Sequence, residues 1–219
     1  MKYKAAIFDL DGTLIDSLAD LGDSANEMLA SYGFPAHTIE EYRYFVGNGS
    51  RKLIERCLPQ DKAKDSSFVD EALARYKACY DKNLTHKTKC YAGIAEMLQT
   101  LQEKNIPLGI CTNKHQSAAD EVCQKLLAKH TFVEIIGDRP GLPRKPDPQK
   151  VLAIADKMGV KPVEVAYFGD TSVDMETARN AGFLPVGVTW GFRPRKELVE
   201  TGAKVLLDTP MELFAKLEF

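Results

Sequence analysis

A chain of 219 residues that is 44% hydrophobic and 27% charged has the composition of an ordinary globular protein, which excludes a disordered or fibrous one. Its formal net charge of −2 gives no electrostatic reason to expect nucleic acid or a membrane surface as a partner. No apolar run reaches the ~18 residues of a membrane-spanning helix, and the N-terminus leads into the first predicted strand without a signal peptide, so we expect a cytoplasmic protein.

The first predicted element is a strand over residues 5–8, whose continuous apolar run is typical of a strand covered on both faces. Two carboxylates, Asp9 and Asp11, follow it with one leucine between them, and Gly12 and Thr13 come next. Like charges at the end of a buried strand repel each other unless a positive group lies close by. This segment is therefore the first candidate for a functional site.

Residues 18–82 show helical periodicity throughout and no strand pattern. Apolar residues recur at helical spacing up to Tyr32, and Thr38 followed by Glu41 predicts a capping box at the start of a short helix. The polar stretch 60–67 is expected to be a loop. A final apolar stripe predicts a helix with these side chains on its buried face: Phe68, Ala72, Leu73, Tyr76 and Tyr80.

After about residue 90 the predicted helices and strands alternate, which is typical of a parallel sheet with helices on both faces. The predicted strands of this part are 106–112, 132–136, 165–170, 184–189 and 204–207. The first strand belongs to the same sheet, so the helical region interrupts it. The sequence thus predicts an α/β fold, a doubly wound parallel sheet with an inserted helical cap domain. We place the cap at residues 17–83 and the catalytic core at residues 1–16 and 84–219.

Three predicted strands end in polar side chains, namely Asp9 and Asp11, Thr112 and Asn113, and Asp170. In open parallel sheets, ligands bind outside the carboxyl ends of the strands. Each of these residues alone also fits a turn or a helix cap, but all three strand ends together are hard to attribute to turns. We therefore expect them to converge on one crevice. Asp174, one helical turn after Asp170, would lie close to the same point.

Four gathered aspartates, Asp9, Asp11, Asp170 and Asp174, carry a charge that must be neutralised. Oxygen ligands without histidine or cysteine favour a hard cation, and Mg²⁺ commonly lies between carboxylates and a substrate phosphate. Lys145, in a proline-rich loop before a predicted helix, would add a positive charge for phosphate oxygens. Taken singly, this lysine fits equally well as a solvated surface residue.

Four segments carry a resemblance to a known family: FDLDGTLIDS at 8–17, CTNK at 111–114, RKPDP at 144–148 and GDTSVDMETARNAG at 169–182. In this order they resemble the four motifs of the haloacid dehalogenase superfamily, in its phosphatase branch with a small helical cap. The resemblance extends over the whole chain. It implies a Mg²⁺-dependent phosphatase that works through an aspartyl-phosphate intermediate on a Rossmann-like core.

The same resemblance implies a role for each motif residue. Asp9 would be the nucleophile, and Asp11 would act first as general acid and then as general base. Thr112, with the adjacent Asn113, and Lys145 would hold the phosphoryl oxygens. The implied Mg²⁺ ligands are Asp9, the backbone carbonyl of Asp11, and Asp170, with support from Asp174.

Two further segments, 45–59 and 187–198, are similar to the phosphoglycolate phosphatase subfamily. In that subfamily the loop between cap helices faces the active site, so Gly47, Asn48 and Gly49 would meet a small anionic substrate. By itself this glycine-rich loop fits equally well as a flexible turn. We expect a small phosphorylated metabolite as partner, 2-phosphoglycolate first, and a monomer or homodimer that binds neither nucleic acid nor membranes.

Several alternatives stay open at the level of sequence. A pyrophosphatase, a sugar-phosphate phosphatase or a phosphomutase of the same superfamily would share most of these motifs. A phospho-accepting signalling module is an alternative of another class, because receiver domains also combine clustered acids with a threonine and a lysine. Asp11 disfavours that alternative, because it is well suited to help water destroy an acyl phosphate.

Overall fold

A parallel β-sheet organises the molecule in the computed structural model, which describes residues 3–219. The strands in chain order are β1 (Ala5–Phe8), β2 (Ile15–Asp16), β3 (Lys89–Cys90), β4 (Leu108–His115), β5 (Glu134–Asp138), β6 (Val165–Gly169), β7 (Leu184–Val188) and β8 (Val205–Leu207). Six of them form one sheet in the order β5-β4-β1-β6-β7-β8, and all neighbouring pairs are parallel. The predicted α/β fold with a parallel sheet is confirmed.

The central strand β1 shows why this sheet is covered on both sides. Ala6 and Phe8 belong to one buried hydrophobic cluster, and Ala5 and Ile7 belong to another. Successive side chains of a strand point to opposite faces, so each face of the sheet has its own apolar layer. On one face Phe8 stacks on Phe168 of β6, with ring centroids 4.7 Å apart. Because β4 and β6 both pair in parallel with β1, the carboxyl ends of these three strands lie side by side.

The helices fall into two groups. The first makes up the segment between β2 and β3, and the second alternates with the strands and covers the main sheet. The first group is α1 (Leu18–Ala30), α2 (Ile39–Phe45), α3 (Ser50–Cys57), α4 (Gln60–Ala63) and α5 (Ser66–Asn83). The second group is α6 (Ile94–Glu103), α7 (Gln116–Leu126), α8 (Gln149–Met158), α9 (Ser172–Ala181), α10 (Arg195–Glu200) and α11 (Leu213–Lys216). In the part of the chain that the structure describes, no helix is long and apolar enough to cross a membrane.

Two local predictions in the helical segment have opposite outcomes. The capping box at α2 is confirmed, because Thr38 and Glu41 exchange both of its hydrogen bonds. The predicted loop over 60–67 is wrong, because α4 and the start of α5 occupy it. The carboxylate of Asp65 accepts hydrogen bonds from the first amides of α5 and so starts that helix within a polar stretch.

The helical segment leaves and rejoins the sheet through a two-stranded ribbon. Strand β2 pairs antiparallel with β3, with Ile15 opposite Cys90 and Asp16 opposite Lys89. The ribbon thus joins the two connections between the sheet and helices α1–α5. The division of the chain into a cap and a core at residues 17–83 stays a prediction.

Candidate active site

Three carboxylates converge at the carboxyl edge of the sheet. Asp9, Asp170 and Asp174 are buried, and each offers an oxygen within 4.8 Å of the others. The turn after β1 approaches them closely at Gly12, whose φ is +84° and where a Cβ atom would lie 2.3 Å from Asp170 Oδ2. Only glycine fits this backbone, because a side chain would be both strained and in collision. The convergence expected from the strand ends is therefore observed for these aspartates.

The two aspartates of the fourth motif differ in how far their oxygens are already bonded. Asp174 accepts hydrogen bonds from Lys145, from Tyr167 and from both the amide and the hydroxyl of Thr171. It thus anchors the start of α9 and the lysine at once. Asp170 has fewer donors, with the Phe192 amide 2.8 Å from its Oδ2.

Lys145 lies between two of the carboxylates. Its Nζ is 2.8 Å from Asp9 Oδ1 and 2.7 Å from Asp174 Oδ1. Asn113 fixes the loop that carries it, since the amide of Lys145 donates to Asn113 Oδ1 and Asn113 Nδ2 donates to the Lys145 carbonyl. The Asn113 amide therefore has partners within the protein and positions the lysine. Buried at this point, Lys145 is no solvated surface residue.

Burial and mutual repulsion set the protonation of this cluster. Burial, followed by the charge of Asp174, raises the pKa of Asp9 to about 7, although Lys145 acts in the opposite direction. Burial, followed by the charges of Asp174 and Asp9, holds the pKa of Asp170 well above its ordinary value. Burial lowers the pKa of Lys145, but the two carboxylates more than reverse this, so the lysine stays charged. When all three carboxyls are ionised, the cluster therefore has more negative charge than its one lysine can balance.

The donor set fits a hard divalent cation. All the candidate ligand atoms are carboxylate oxygens, which is the chemistry that Mg²⁺ and Ca²⁺ prefer. Asp9 Oδ1 is buried and accepts no directed hydrogen bond from the described residues, although Lys145 is in contact with it. Beside this ion pair the oxygen keeps lone-pair capacity with which it could coordinate a cation. The side chain of Asp11 is not a member of the group.

Asp11 instead forms a partly buried ion pair that the sequence did not predict. Lys114 Nζ lies 2.8 Å from Asp11 Oδ1, and Ser17 Oγ donates to the same oxygen at 2.6 Å. Of the two partners Lys114 is the buried one, and it directly follows the predicted Thr112 and Asn113. The one signal in the sequence was that Lys114 belongs to the CTNK segment, and the residue spacing there does not distinguish it from a solvated lysine.

A pocket of about 150 Å³ opens from this cluster toward the helical segment. Asp9, Asp11 and Thr112 line its inner end. Its other walls come largely from the helical segment, and they include Leu21, Val46, Gly47, Gly49, Leu53, Tyr76 and Tyr80. The two tyrosines were predicted as members of an apolar stripe, which is correct for their rings but misses their hydroxyls.

The predicted cap loop has two kinds of residue. Gly47 and Gly49 line the pocket, and the carbonyl of Gly47 accepts a hydrogen bond from Asn113 Nδ2 at 3.2 Å. Asn48 Oδ1 accepts a hydrogen bond of 2.9 Å from Arg56 Nη2, which also belongs to the helical segment. The two glycines of the loop thus line the pocket, whereas the Asn48 side chain is bonded to Arg56 and stabilises the loop.

Comparison with known proteins agrees with this site over nearly the whole chain. The family model of haloacid dehalogenase-like hydrolases matches residues 6–188. The phosphoglycolate phosphatase of Xanthomonas campestris pv. campestris (strain 8004) is 33% identical over 213 residues, which are 96% of this chain and 95% of that protein. The phosphoglycolate phosphatase of Haemophilus influenzae (strain 86-028NP) is 31% identical over 221 residues, 99% of both proteins.

A solved structure is similar over the same extent. The crystal structure of a predicted phosphoglycolate phosphatase from Haemophilus somnus 129pt has a TM-score of 0.90 at 25% identity, covering 98% of each chain. The fold, the order of the motifs and the full-length relatives agree, and the expectation of a hydrolytic enzyme is confirmed. The chain belongs to the haloacid dehalogenase-like hydrolase family.

Proposed function

We propose that the chain is a Mg²⁺-dependent phosphatase that hydrolyses small phosphate monoesters through an aspartyl-phosphate on Asp9, with 2-phosphoglycolate as the first candidate substrate. The observation that carries this proposal is that Asp9, Asp11 and Thr112 line one small pocket beside a buried carboxylate cluster. The names of the full-length relatives support the same reaction class.

In the first step an oxygen of Asp9 attacks phosphorus, and the bond between phosphorus and the ester oxygen breaks. Asp11 gives its proton to that oxygen, so the product leaves as a neutral alcohol. Lys145, in contact with Asp9, offsets the repulsion between the carboxylate and the phosphoryl oxygens. The Thr112 hydroxyl accepts from the Lys114 amide, and its own proton is free for a phosphoryl oxygen.

In the second step Asp11, now ionised, takes a proton from a water molecule whose oxygen attacks phosphorus. The bond between phosphorus and Asp9 breaks, and inorganic phosphate leaves. Lys114 and Ser17 both donate to Asp11 Oδ1, so its Oδ2 remains available for these proton transfers. Acid–base help of this kind is worth ~10²–10⁴-fold in rate.

The proposed Mg²⁺ would be held by Asp9, Asp170 and the backbone carbonyl of Asp11, with Asp174 in support. Bound there, it supplies positive charge for the phosphoryl oxygens. Excess EDTA should abolish turnover and leave the circular dichroism spectrum unchanged, because the cluster lies at the edge of the sheet and not within its apolar layers. Full activity in excess EDTA would contradict the metal assignment.

The cap loop is the second part of this proposal. Gly47 and Gly49 have φ of +105° and +86°, so their backbone amides can approach a small ester without a side chain in the way. Asn48→Ala should lower kcat/KM for the preferred ester far more than for p-nitrophenyl phosphate, because it loosens the loop held by Arg56. Equal losses of kcat/KM for both esters would mean that the loop is a structural turn and does not select the substrate.

A substrate panel tests the proposed function. We expect the highest kcat/KM for 2-phosphoglycolate, compared with pyrophosphate, small sugar phosphates and p-nitrophenyl phosphate. A higher value for pyrophosphate or a sugar phosphate would replace the substrate assignment. Formation of an isomerised ester would indicate a phosphomutase. A phosphorylated Asp9 that persists without substrate would indicate a signalling module and overturn the proposal.

A further inference from the structure

Two tyrosines of α5 line the pocket beside the ion pair of Asp11 and Lys114. Tyr76 and Tyr80 lie one turn apart on the helix, and their rings stack with centroids 5.7 Å apart. Both side chains are buried, and both line the pocket. Their rings contribute to the apolar interior, as the helical stripe requires, but phenylalanine would do this equally well.

The hydroxyl of Tyr76 makes no hydrogen bond within the part of the protein that the structure describes. Its oxygen is buried and has no hydrogen-bond partner among residues 3–219. Burying a hydroxyl without a partner is unfavourable, so a phenylalanine would suit a purely structural role better. Since Tyr76 lines the pocket, a molecule bound there can supply the partner that the described residues do not.

Tyr80 and Lys114 extend this set of donors. Lys114 Nζ donates to the Tyr80 hydroxyl and to Asp11, which leaves one of its three N–H groups unassigned. The Tyr80 oxygen accepts from the lysine, so its own proton is also free. Burial raises the pKa of Tyr76 and of Tyr80 well above the ordinary value, so both hydroxyls keep their protons.

We propose that Tyr76, Tyr80 and Lys114 form a subsite for a carboxylate on the leaving alcohol of the substrate. The subsite rests on the proposed phosphatase function and names the feature by which the enzyme selects its ester. Lone pairs of a carboxylate match a set of donors that includes one cation.

The position of the subsite limits the length of the alcohol. Lys114 Nζ lies 2.8 Å from the carboxylate of Asp11, which protonates the ester oxygen in the proposed mechanism. A carboxylate bound at Lys114 is therefore separated from the ester oxygen by a short carbon spacer. Esters of 2-hydroxy acids meet this requirement, and 2-phosphoglycolate is the smallest of them. A pocket of about 150 Å³ is below the ~300–1,000 Å³ usual for larger ligands, which agrees with so small a substrate.

The test compares two esters of nearly equal size, 2-phosphoglycolate and 2-hydroxyethyl phosphate, which carries a neutral alcohol in place of the carboxylate. Tyr76→Phe should lower kcat/KM for 2-phosphoglycolate by about tenfold or more, as expected for a hydrogen bond to a charged group. The loss for 2-hydroxyethyl phosphate should be much smaller. Tyr80→Phe should change the ratio in the same direction.

The matched control is Tyr32→Phe, which removes a hydroxyl bonded to Glu71 at the surface of the helical segment. It should leave the ratio of the two kcat/KM values unchanged. Lys114→Met is less informative, since this lysine also holds Asp11. An unchanged ratio in Tyr76→Phe and Tyr80→Phe would overturn the subsite, as would a change in ratio seen only in Lys77→Met at the exposed rim of the pocket.

A binding measurement separates the subsite from the proposed function. Calorimetry with the Asp9→Asn protein and 2-phosphoglycolate does not depend on turnover. If Tyr76→Phe in that background weakens binding about tenfold, the subsite stands even if no ester is hydrolysed by the wild type. If binding is unaffected, the subsite is wrong even for an active phosphatase.

Discussion

At the scale of single residues, burial of the Asp9 carboxylate is unfavourable for the stability of the fold but suits the proposed chemistry. Its pKa of about 7 reflects burial and the charge of Asp174, which Lys145 balances only in part. A carboxylate already stripped of water, beside a fixed cation, needs little rearrangement to attack phosphorus or to bind a metal. Asparagine has nearly the same shape but neither the charge nor the nucleophilic oxygen, so Asp9→Asn separates the two effects.

The first prediction concerns turnover. Asp9→Asn should lower kcat by at least about a thousandfold for every phosphate ester, because an amide neither attacks phosphorus nor ligates Mg²⁺ well. Steady-state release of inorganic phosphate measures this. Asp61→Asn, at an exposed position in α4, is the matched control and should retain wild-type activity. If Asp9→Asn keeps a tenth of the activity, the nucleophile is another residue.

The second prediction concerns stability as a function of pH. In the metal-free folded protein Asp9 is protonated up to about pH 7, whereas the ordinary pKa of 3.8 applies to the unfolded chain. The folded state therefore binds more protons between these values, and its stability falls as the pH rises through this window. Asp9→Asn has no such loss and should be more stable at pH 8, by up to about 4 kcal/mol.

Urea denaturation in excess EDTA measures this difference. The stabilisation by Asp9→Asn should shrink as the pH is lowered from 8 to 5, because the wild-type carboxyl then becomes neutral in the folded state. Mg²⁺ should reduce it as well, since the cation binds the folded wild type. A variant that is less stable than the wild type at pH 8 would contradict the assigned charge balance.

Residues differ in how far sequence could predict their surroundings. The positions of Asp9, Asp170 and Lys145 follow from strand ends and motif order, because a parallel sheet brings those ends together. The hydroxyls of Tyr76 and Tyr80 do not follow, because helical spacing reports only that one side of a helix is buried. Whether a buried tyrosine faces packed side chains or a pocket depends on tertiary contacts that no local pattern encodes.

At the scale of elements, the joint between helices and sheet depends on one buried carboxylate. Asp20 of α1 accepts hydrogen bonds from the amides of Lys87 and Thr88 and from the Thr88 hydroxyl, at 2.6 to 3.0 Å. The start of the helical segment is thus fastened to its end, just before β3. Sequence did not predict this contact, since a first-turn aspartate in a helix is equally consistent with simple interaction with the helix dipole.

The third prediction uses two aspartates of α1 that both contact Lys87. Asp20→Ala should lower the free energy of unfolding by about 2–4 kcal/mol, because it leaves buried amides and a hydroxyl without an acceptor. Asp23→Ala removes only an exposed ion pair with the Lys87 ammonium and should cost less than about 1 kcal/mol. Urea denaturation measures both. Equal losses would mean that the Asp20 contacts add nothing beyond surface charge.

Sequence patterns predicted the main helices and strands but missed the shortest elements. Each strand of the sheet contains a short apolar run, which distinguishes it from its neighbours, although β4 ends in polar residues and β5 begins and ends with an acidic one. Strands β2 and β3 have two residues each, too few for any periodicity. Helix α4 lies in a polar stretch where an exposed single turn and a loop have the same composition.

At the scale of the whole molecule, the helical segment is held against the sheet by contacts that suit reversible closure. Arg193 Nη2 donates to the carbonyls of Val46 and Tyr44 at 3.0 and 3.3 Å, and Arg43 donates in the other direction to the Gly191 carbonyl at 3.3 Å. Each arginine also has a buried nitrogen that makes no directed hydrogen bond to the described residues, although Arg43 Nε lies 3.1 Å from Glu40 Oε2. Such incompletely satisfied contacts hold the pocket closed at a modest cost of opening.

The fourth prediction follows from this arrangement: we expect the helical segment to close over the sheet by hinging where it joins the ribbon, at residues 16–17 and 83–87. Mg²⁺ with beryllofluoride, an analogue of the phosphorylated Asp9, should favour the closed arrangement and slow trypsin cleavage at the exposed Lys82 and Lys87 several-fold. Mass spectrometry of a limited digest measures both rates. Cleavage at Lys196 in α10, away from the hinges, is the internal control and should not change.

Arg193→Met should weaken this protection specifically. The substitution removes two hydrogen bonds to the backbone of the helical segment but leaves Asp9, Asp11 and the carboxylate cluster in place. Beryllofluoride should then protect Lys87 less than in the wild type, and KM for the preferred ester should rise more than kcat falls, because the loss is one of closure and not of chemistry. Equal cleavage of the wild type with and without the inhibitor would show that the helical segment does not close, and protection unchanged by Arg193→Met would assign closure to other contacts.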